Sequence, residues 1–277
     1  MMAAQDGRGR MKVFISADME GTAGITAWDE LERAHPDYAQ FQGYMTAEVA
    51  AACEGARAAG ATEIVVKDAH ESARNLILDR LPEGVRIIRG WSGHPDSMMF
   101  GIDSSFDAAI YTGYHAKAGS DTNPLAHTMN GRIGRLLING EVASEFTMNS
   151  LCAARYGVPS AFLAGDAGIC ADAASLVPGI ATLTTGQGYG NATVSLTPIE
   201  SVRRIRAGVE KVLRGDFRAA LPALASDYEM VIEFSTPGDA YRGSWYPGVE
   251  QTGPRSIRFI SKDFFEIQRA FRFVGSA

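Results

Sequence analysis

Short β-branched runs alternate with an alanine-rich amphipathic stretch through the first half of the chain. Residues 12–17 read as a strand, 40–59 as a helix that Gly60 can end, and 63–67 as a second strand. Short helical material is expected over 75–81, with strands over 85–89 and 108–112. This β-α-β rhythm predicts an α/β fold with a mostly parallel sheet and flanking helices. Farther on, Asn139-Gly140 sits between apolar residues, a strong hairpin signal. A helix over 144–156, ending at Gly157, and a strand over 160–164 follow.

The second half is patterned differently. Residues 182–185 read as a strand and Gly186-Gln187-Gly188-Tyr189-Gly190 as a flexible loop. A long helix over 198–213 carries Glu200 in its first turn, where a negative charge complements the helix dipole. Strands over 229–234 and 256–261 precede a closing helix over 263–273, with Asp263 near its start. The expected organisation is a polar, disordered leader at 1–10, a metal-binding α/β domain at 11–192 and a smaller C-terminal α+β subdomain at 193–277. The glycine-rich loop lacks the GxGxxG order and no helix opens directly after it, so its expected role is a mobile loop or pocket rim rather than a nucleotide site.

Composition narrows the classes. The formal net charge of −6 comes with no basic run or stripe, which argues against a nucleic-acid partner. No apolar stretch is long enough to span a bilayer, and no signal-like segment opens the sequence, so no membrane partner is expected. Cys53, Cys152 and Cys170 lack CxxC spacing and lie in helix-like or apolar surroundings, which fits buried thiols in the reducing cytoplasm.

The candidate chemistry gathers where strands end. In Ser16-Ala17-Asp18-Met19-Glu20-Gly21, the two-residue period of an extended chain sends Asp18 and Glu20 to the same side. Paired carboxylates repel unless a cation or a shared proton relieves them, although turns after strands also favour Asp and Gly. His70 closes the run 64–70 and His115 closes 108–115, repeating the arrangement of strand first and ligand-type residue next. A parallel sheet would bring Asp18, Glu20, His70 and His115 to one carboxyl edge. Mixed imidazole and carboxylate donors suit zinc and similar divalent ions. His35 and His94 both precede proline in turn-like surroundings and are expected to be structural or superficial. His127 is open between ligand, proton-transfer group and core histidine. Glu145, at the start of the 144–156 helix, either complements the helix dipole or supplies a further carboxylate. Asp68 is either a ligand or a partner that orients an imidazole.

The order of these motifs has a familiar form. Ser16-Ala17-Asp18-Met19-Glu20-Gly21, Lys67-Asp68-Ala69-His70 with Asn75-Leu76, Gly113-Tyr114-His115-Ala116, Ala126-His127-Thr128-Met129, and Ile138-Asn139-Gly140 leading to Glu145 follow one another. Ala164-Gly165-Asp166, Tyr246-Pro247-Gly248-Val249-Glu250 and Lys262-Asp263-Phe264-Phe265-Glu266 continue the series. The set resembles the zinc-dependent D-aminopeptidases of the DppA type, peptidase family M55, across residues 11–273.

The resemblance implies a cytoplasmic two-zinc amide hydrolase that releases N-terminal D-amino acids from short peptides or amides. By motif, Asp18 would bridge the ions, Glu20, His70, His115 and Glu145 would complete the ligands, and His127 would be the catalytic residue. It also implies a ring-like homo-oligomer. The chain departs from the family pattern near Thr182: where a lysine is expected shortly afterwards, it carries Thr184-Thr185 and the glycine-rich segment. Hydrolysis of L-peptides or other small amides is therefore an alternative. A phosphoesterase using the same ions lacks an arginine cluster near the candidate ligands, Lys117 apart, and a non-catalytic metal-binding subunit would have no need of His127.

Overall fold

Val13, Ile15 and Ala17 point to one face of β1 (Met11–Ala17), Phe14 and Ser16 to the other, and all five are buried. A strand covered on both faces belongs inside a sheet layered by helices. In the computed structural model, which describes residues 10–275, β1 is flanked by β2 (Ala61–Asp68) and β4 (Ala108–Tyr114), both parallel to it. The leader expected at 1–10 lies outside the described residues except for Arg10. β3 (Arg86–Ile88) extends the sheet beyond β2, and β7 (Ser160–Asp166) and β8 (Ala181–Tyr189) extend it beyond β4, all in parallel. β9 (Ala192–Ser195) closes the edge antiparallel to β8, giving the order β3-β2-β1-β4-β7-β8-β9.

The helices divide between the two faces. α1 (Tyr38–Ala58) and α4 (Pro198–Arg214) share a core with Val13 and Ile15, while α2 (Glu145–Arg155) and α3 (Ala167–Leu176) pack with Phe14 and Tyr111. A smaller sheet, wholly antiparallel, runs β11 (Glu250–Gly253), β12 (Ser256–Ser261), β10 (Tyr228–Phe234), β5 (Ile133–Ile138) and β6 (Glu141–Val142). Its core is shared with α5 (Pro237–Gly243) and α6 (Phe264–Val274). α2 serves both sheets, with Phe146 and Cys152 on the first and Met148 and Leu151 on the second. The C-terminal subdomain expected over 193–277 is thus joined in its sheet by β5 and β6 from mid-chain, while β9 and α4 pack with the larger sheet. The hairpin at Asn139-Gly140 forms as expected, both residues taking the positive φ that a tight primed turn requires (+51° and +83°).

The expected flexible loop at Gly186–Gly190 is mostly strand. β8 runs through Tyr189, and the Gly188 N–H donates to the Thr122 carbonyl at 2.7 Å. A Cβ on Gly188 would lie 2.8 Å from the Thr122 backbone, so this glycine serves close packing rather than mobility. The short helical material at 75–81 reduces to one 3-10 turn, Leu78–Arg80. Among the described residues no helix is long and apolar enough to cross a membrane. All three cysteines are free and buried, and burial raises the thiols of Cys53 to about 12 and Cys170 to about 11.

From β1 the chain winds outward to β2 and β3, then returns to place β4 on the other side of β1. That reversal is a topological switch point, where an open parallel sheet leaves a crevice beyond its carboxyl ends.

Candidate metal centre

Register brings the strand ends to one edge. Ala17 pairs with Asp68 on one side and Thr112 on the other, so Asp18, His70 and His115 leave the sheet together. The departing segments stay laced: the Asp18, Gly21 and Ala69 N–H groups donate to Thr112, Gly113 and Ala17 carbonyls, each at 2.8 Å. Two glycines permit this closeness. A Cβ on Gly21 would stand 1.7 Å from the Tyr114 carbonyl oxygen, and one on Gly113, already at φ +68°, would stand 2.1 Å from that of Asp18.

Three carboxylates and two imidazoles converge in this crevice. His70 Nδ1 lies 3.4 Å from Asp18 Oδ1 and 3.1 Å from Glu20 Oε2. His115 Nε2 lies 3.5 Å from Asp18 Oδ2 and 3.4 Å from Glu145 Oε1. The donor atoms form overlapping groups, Asp18-Glu20-His70, Asp18-His115-Glu145 and Glu20-His115-His127, each within 4.8 Å; Asp18 belongs to the first two through different oxygens. All five side chains are buried. His127, partly exposed, stands beside them with Nε2 at 3.6 Å from Glu145 and 3.8 Å from Glu20.

Electrostatics shows a cluster short of positive charge. Burial, followed by Glu20 and Glu145 nearby, pushes the Asp18 carboxyl well above the usual range. Burial acts upward on Glu20 and Glu145 too, but the imidazoles prevail: His70 above all holds Glu20 well below its usual value, and His115 holds Glu145 below. The reciprocal pull of Glu20 on His70 and Glu145 on His115 overcomes burial and raises both imidazoles well above 6.5.

The residues fit divalent cations. Asp18 Oδ2, His70 Nε2 and His115 Nε2 are buried with no hydrogen-bond partner, a costly condition for polar atoms. His115 donates through Nδ1 to the Ala116 carbonyl at 3.0 Å, which leaves the Nε2 lone pair directed at the carboxylates. The donor chemistry, imidazole with carboxylate, suits zinc.

Supporting residues explain how distant segments hold this geometry. Glu145 opens α2 behind the Ser144 N-cap and accepts the Met129 N–H at 2.6 Å, with Met129 held at φ +66°. Asp166 accepts from the Ala116 N–H at 2.7 Å, from Asn123 Nδ2 at 3.0 Å and from the Ile169 N–H at 3.0 Å, tying the His115 strand end to α3. Asp68 does not touch an imidazole. It accepts from the Asn75 and Leu76 N–H groups, and Asn75 in turn donates to the His70 carbonyl, so it shapes the loop that carries His70. Beneath Asp18, a buried chain passes from Asn149 Nδ2 to the Tyr114 hydroxyl, to Ser16 Oγ, to the Met98 carbonyl.

His35 and His94 stay outside the cluster, as expected; His94 rests near Asp96 and against Phe100 and Phe265. Pattern reading missed the parts played by Asp166, Asn123 and Met129, although the Asp after the apolar run 160–165 was a visible helix-start signal. The expected pocket rim after Thr182 is not there: Thr185 is buried and donates to the Gly21 carbonyl at 2.6 Å. The crevice instead opens into a cavity of about 400 Å³ whose walls include Glu71, Trp91, Met98, Asn130, Arg132 and Arg272. A second lobe of about 470 Å³ shares Glu20, His70 and His127 and adds Trp28, Leu31 and Arg33.

The sequence matches the model of the M55 peptidases, described as D-aminopeptidase, over residues 11–273. A D-aminopeptidase of Bacillus subtilis (strain 168) is 29% identical over 263 residues, spanning 94% of this chain and 95% of the relative. Among solved structures, the Zn-dependent D-aminopeptidase DppA from Bacillus subtilis, a self-compartmentalizing protease, shares the fold with a TM-score of 0.89 at 28% identity, covering 96% of this chain and 97% of that one. Since the family match runs through both sheets and every segment of the carboxylate-imidazole cluster, the protein belongs to the M55 D-aminopeptidases and is a peptidase.

Proposed function

We propose that the chain is a binuclear zinc aminopeptidase that releases N-terminal D-amino acids from short peptides or amides. The observation that carries this reading is the position of Asp18, which offers one oxygen to the His70 group and the other to the His115 group. Asp18 would serve both ions, with Glu20 and His70 holding one and His115 and Glu145 the other, a division that two of the three donor groups support. When bound, two zinc ions would supply Lewis-acid polarisation of the amide carbonyl and acidify an attacking water. The Zn-dependence of the DppA structure supports this choice of metal.

His127 is the proton carrier in this reading. Its Nδ1 donates to the Leu125 carbonyl at 2.9 Å, so Nε2 faces the cluster with a free lone pair. Nε2 can take a proton from the nucleophilic water and return it to the leaving amine. The His115 ring stacks on the imidazole and the Trp28 indole lies against it at a tilt, with centroids at 4.3 and 5.4 Å.

A ring-like homo-oligomer is part of the same reading, supported by the self-compartmentalizing DppA relative and by exposed aromatic residues such as Tyr241 and Trp245. A cytoplasmic location is supported by the three free, buried thiols.

Metal analysis, combined with amino-acid release from paired D- and L-dipeptides and amino-acid amides, tests the proposal. Near two zinc ions per chain with D-selective release is the expected result. Hydrolysis of L-peptides alone would retain the chemistry and replace the substrate; protein that binds no metal and turns over none of these substrates would overturn the reading.

A further inference from the structure

We infer that Arg272 binds the C-terminal carboxylate of the substrate, which makes the enzyme a peptidase of very short peptides gripped at both ends. The inference rests on the aminopeptidase reading and adds the far end of the substrate to it. Arg272 lies in the last turn of α6, half-buried, in the wall of the same 400 Å³ cavity that holds Asp18, Glu20, His70, His127 and Glu145. Among the described residues it has no hydrogen-bond or ion-pair partner, although it lines a cavity rich in carboxylates. An arginine near a helix C-terminus already complements the dipole, so its position in α6 alone implies nothing. What implies a ligand is an unpaired guanidinium in the wall of the cavity that holds the reaction centre.

The other two arginines of the crevice are engaged. Arg132 lies 3.6 Å from Asp239 and 3.4 Å from the Gly275 carbonyl. Arg33, in the second lobe, is exposed and donates to the Arg74 carbonyl at 3.2 Å. The end of α6 that carries Arg272 is also tied to the cluster. Asn130 Nδ2 donates to the Gly275 carbonyl at 2.8 Å, clamping the end of α6 to the loop whose Met129 N–H holds Glu145. One rigid connection therefore links the carboxylate-binding end to the metal-binding end. A cavity of this volume with a cation in its wall admits a di- or tripeptide, and the chain end of a long peptide would not meet Arg272.

The test compares a D-dipeptide as free acid and as C-terminal amide on the wild type and on the R272A, R272K and R33A variants. In the wild type, KM for the acid should be lower by roughly 10- to 100-fold, the range of a charge-assisted contact. In R272A the acid-to-amide ratio of KM should collapse toward one; R272K should keep part of it, and R33A should keep it whole. Equal KM values in the wild type, an unchanged ratio in R272A, or a collapse confined to R33A would overturn the inference while leaving the peptidase reading standing. If no peptide is hydrolysed, the peptidase reading is what has failed. Calorimetric titration with a reduced-amide dipeptide isostere, as acid and as amide, then decides Arg272 alone: loss of acid preference in R272A supports it, and no preference in the wild type rejects it.

Discussion

The His115 and His127 rings stack nearly parallel, 14° apart with centroids at 4.3 Å, yet only the His115 ring is sealed from solvent. Both turn Nδ1 to a backbone carbonyl and Nε2 to the same Glu145 oxygen. Identical orientation with different exposure separates the roles: the buried ring suits a ligand, the partly exposed one suits a group that meets substrate.

That difference makes H127A informative. Peptide hydrolysis should fall by about 100- to 10,000-fold, the range for losing a general acid-base, with metal content close to the parent's. Turnover and metal analysis on the same preparation check it. Loss of zinc in H127A would make His127 a ligand instead.

Asp166 should matter to activity without touching substrate. Removing its carboxylate in D166A leaves the Ala116 and Ile169 N–H groups and Asn123 Nδ2 without their acceptor, at a cost of roughly 3 kcal/mol. Thermal melting should show the loss of stability, and activity should drop because Ala116 follows His115 and Asn123 Nδ2 also reaches the Glu20 carbonyl at 3.3 Å. A parent-like melt in D166A would contradict this account.

The β-α-β half of the fold was readable because local pattern and tertiary role agree there. Residues 12–17, 40–59 and 63–67 form the elements their periodicity predicts, whereas β1 ends at Ala17, so Asp18 and Glu20 come together in the turn after the strand rather than by its two-residue period. The smaller sheet was less legible, since β5 pairs with β10 across about ninety residues and no local signal announces such a partner. Helix α3 escaped notice although Asp166 caps it, and Gly188 read as a loop because close approach to Thr122 is visible only in three dimensions. Arg272 was invisible for the same reason: only the fold brings α6 to the strand ends.

Stripping the metal should destabilise the fold. Asp18, Glu20 and Glu145 are buried together, and a ligand that binds only the folded state stabilises it by roughly 4 kcal/mol at a thousandfold excess over its Kd. A chelator should therefore lower the melting temperature and abolish activity, and zinc should restore both. Because ligand groups must shed protons to bind, refilling should release protons and weaken as the pH falls. A melting temperature indifferent to chelator and zinc would count against a metal bound in this cluster.

Glu48 gives the fold a pH dependence of its own, away from the metal ligands. It is buried in α1, where one oxygen accepts from Ser201 Oγ at 2.7 Å and the Ala23 N–H at 3.0 Å while the other has no partner. Burial outweighs these bonds and raises the carboxyl from 4.5 to about 7. The folded state therefore holds this proton more tightly than the unfolded chain. The resulting stability is full below about pH 4.5 and lost as the pH rises through about 7, a difference of about 3 kcal/mol. E48Q keeps an acceptor for Ser201 and Ala23 but cannot ionise. Above pH 7 it should unfold at a higher urea concentration than the parent, with the advantage shrinking on acidification. A constant difference between the two proteins from pH 5 to 8 would show that Glu48 is already ionised in the folded state throughout that range, and would overturn this account.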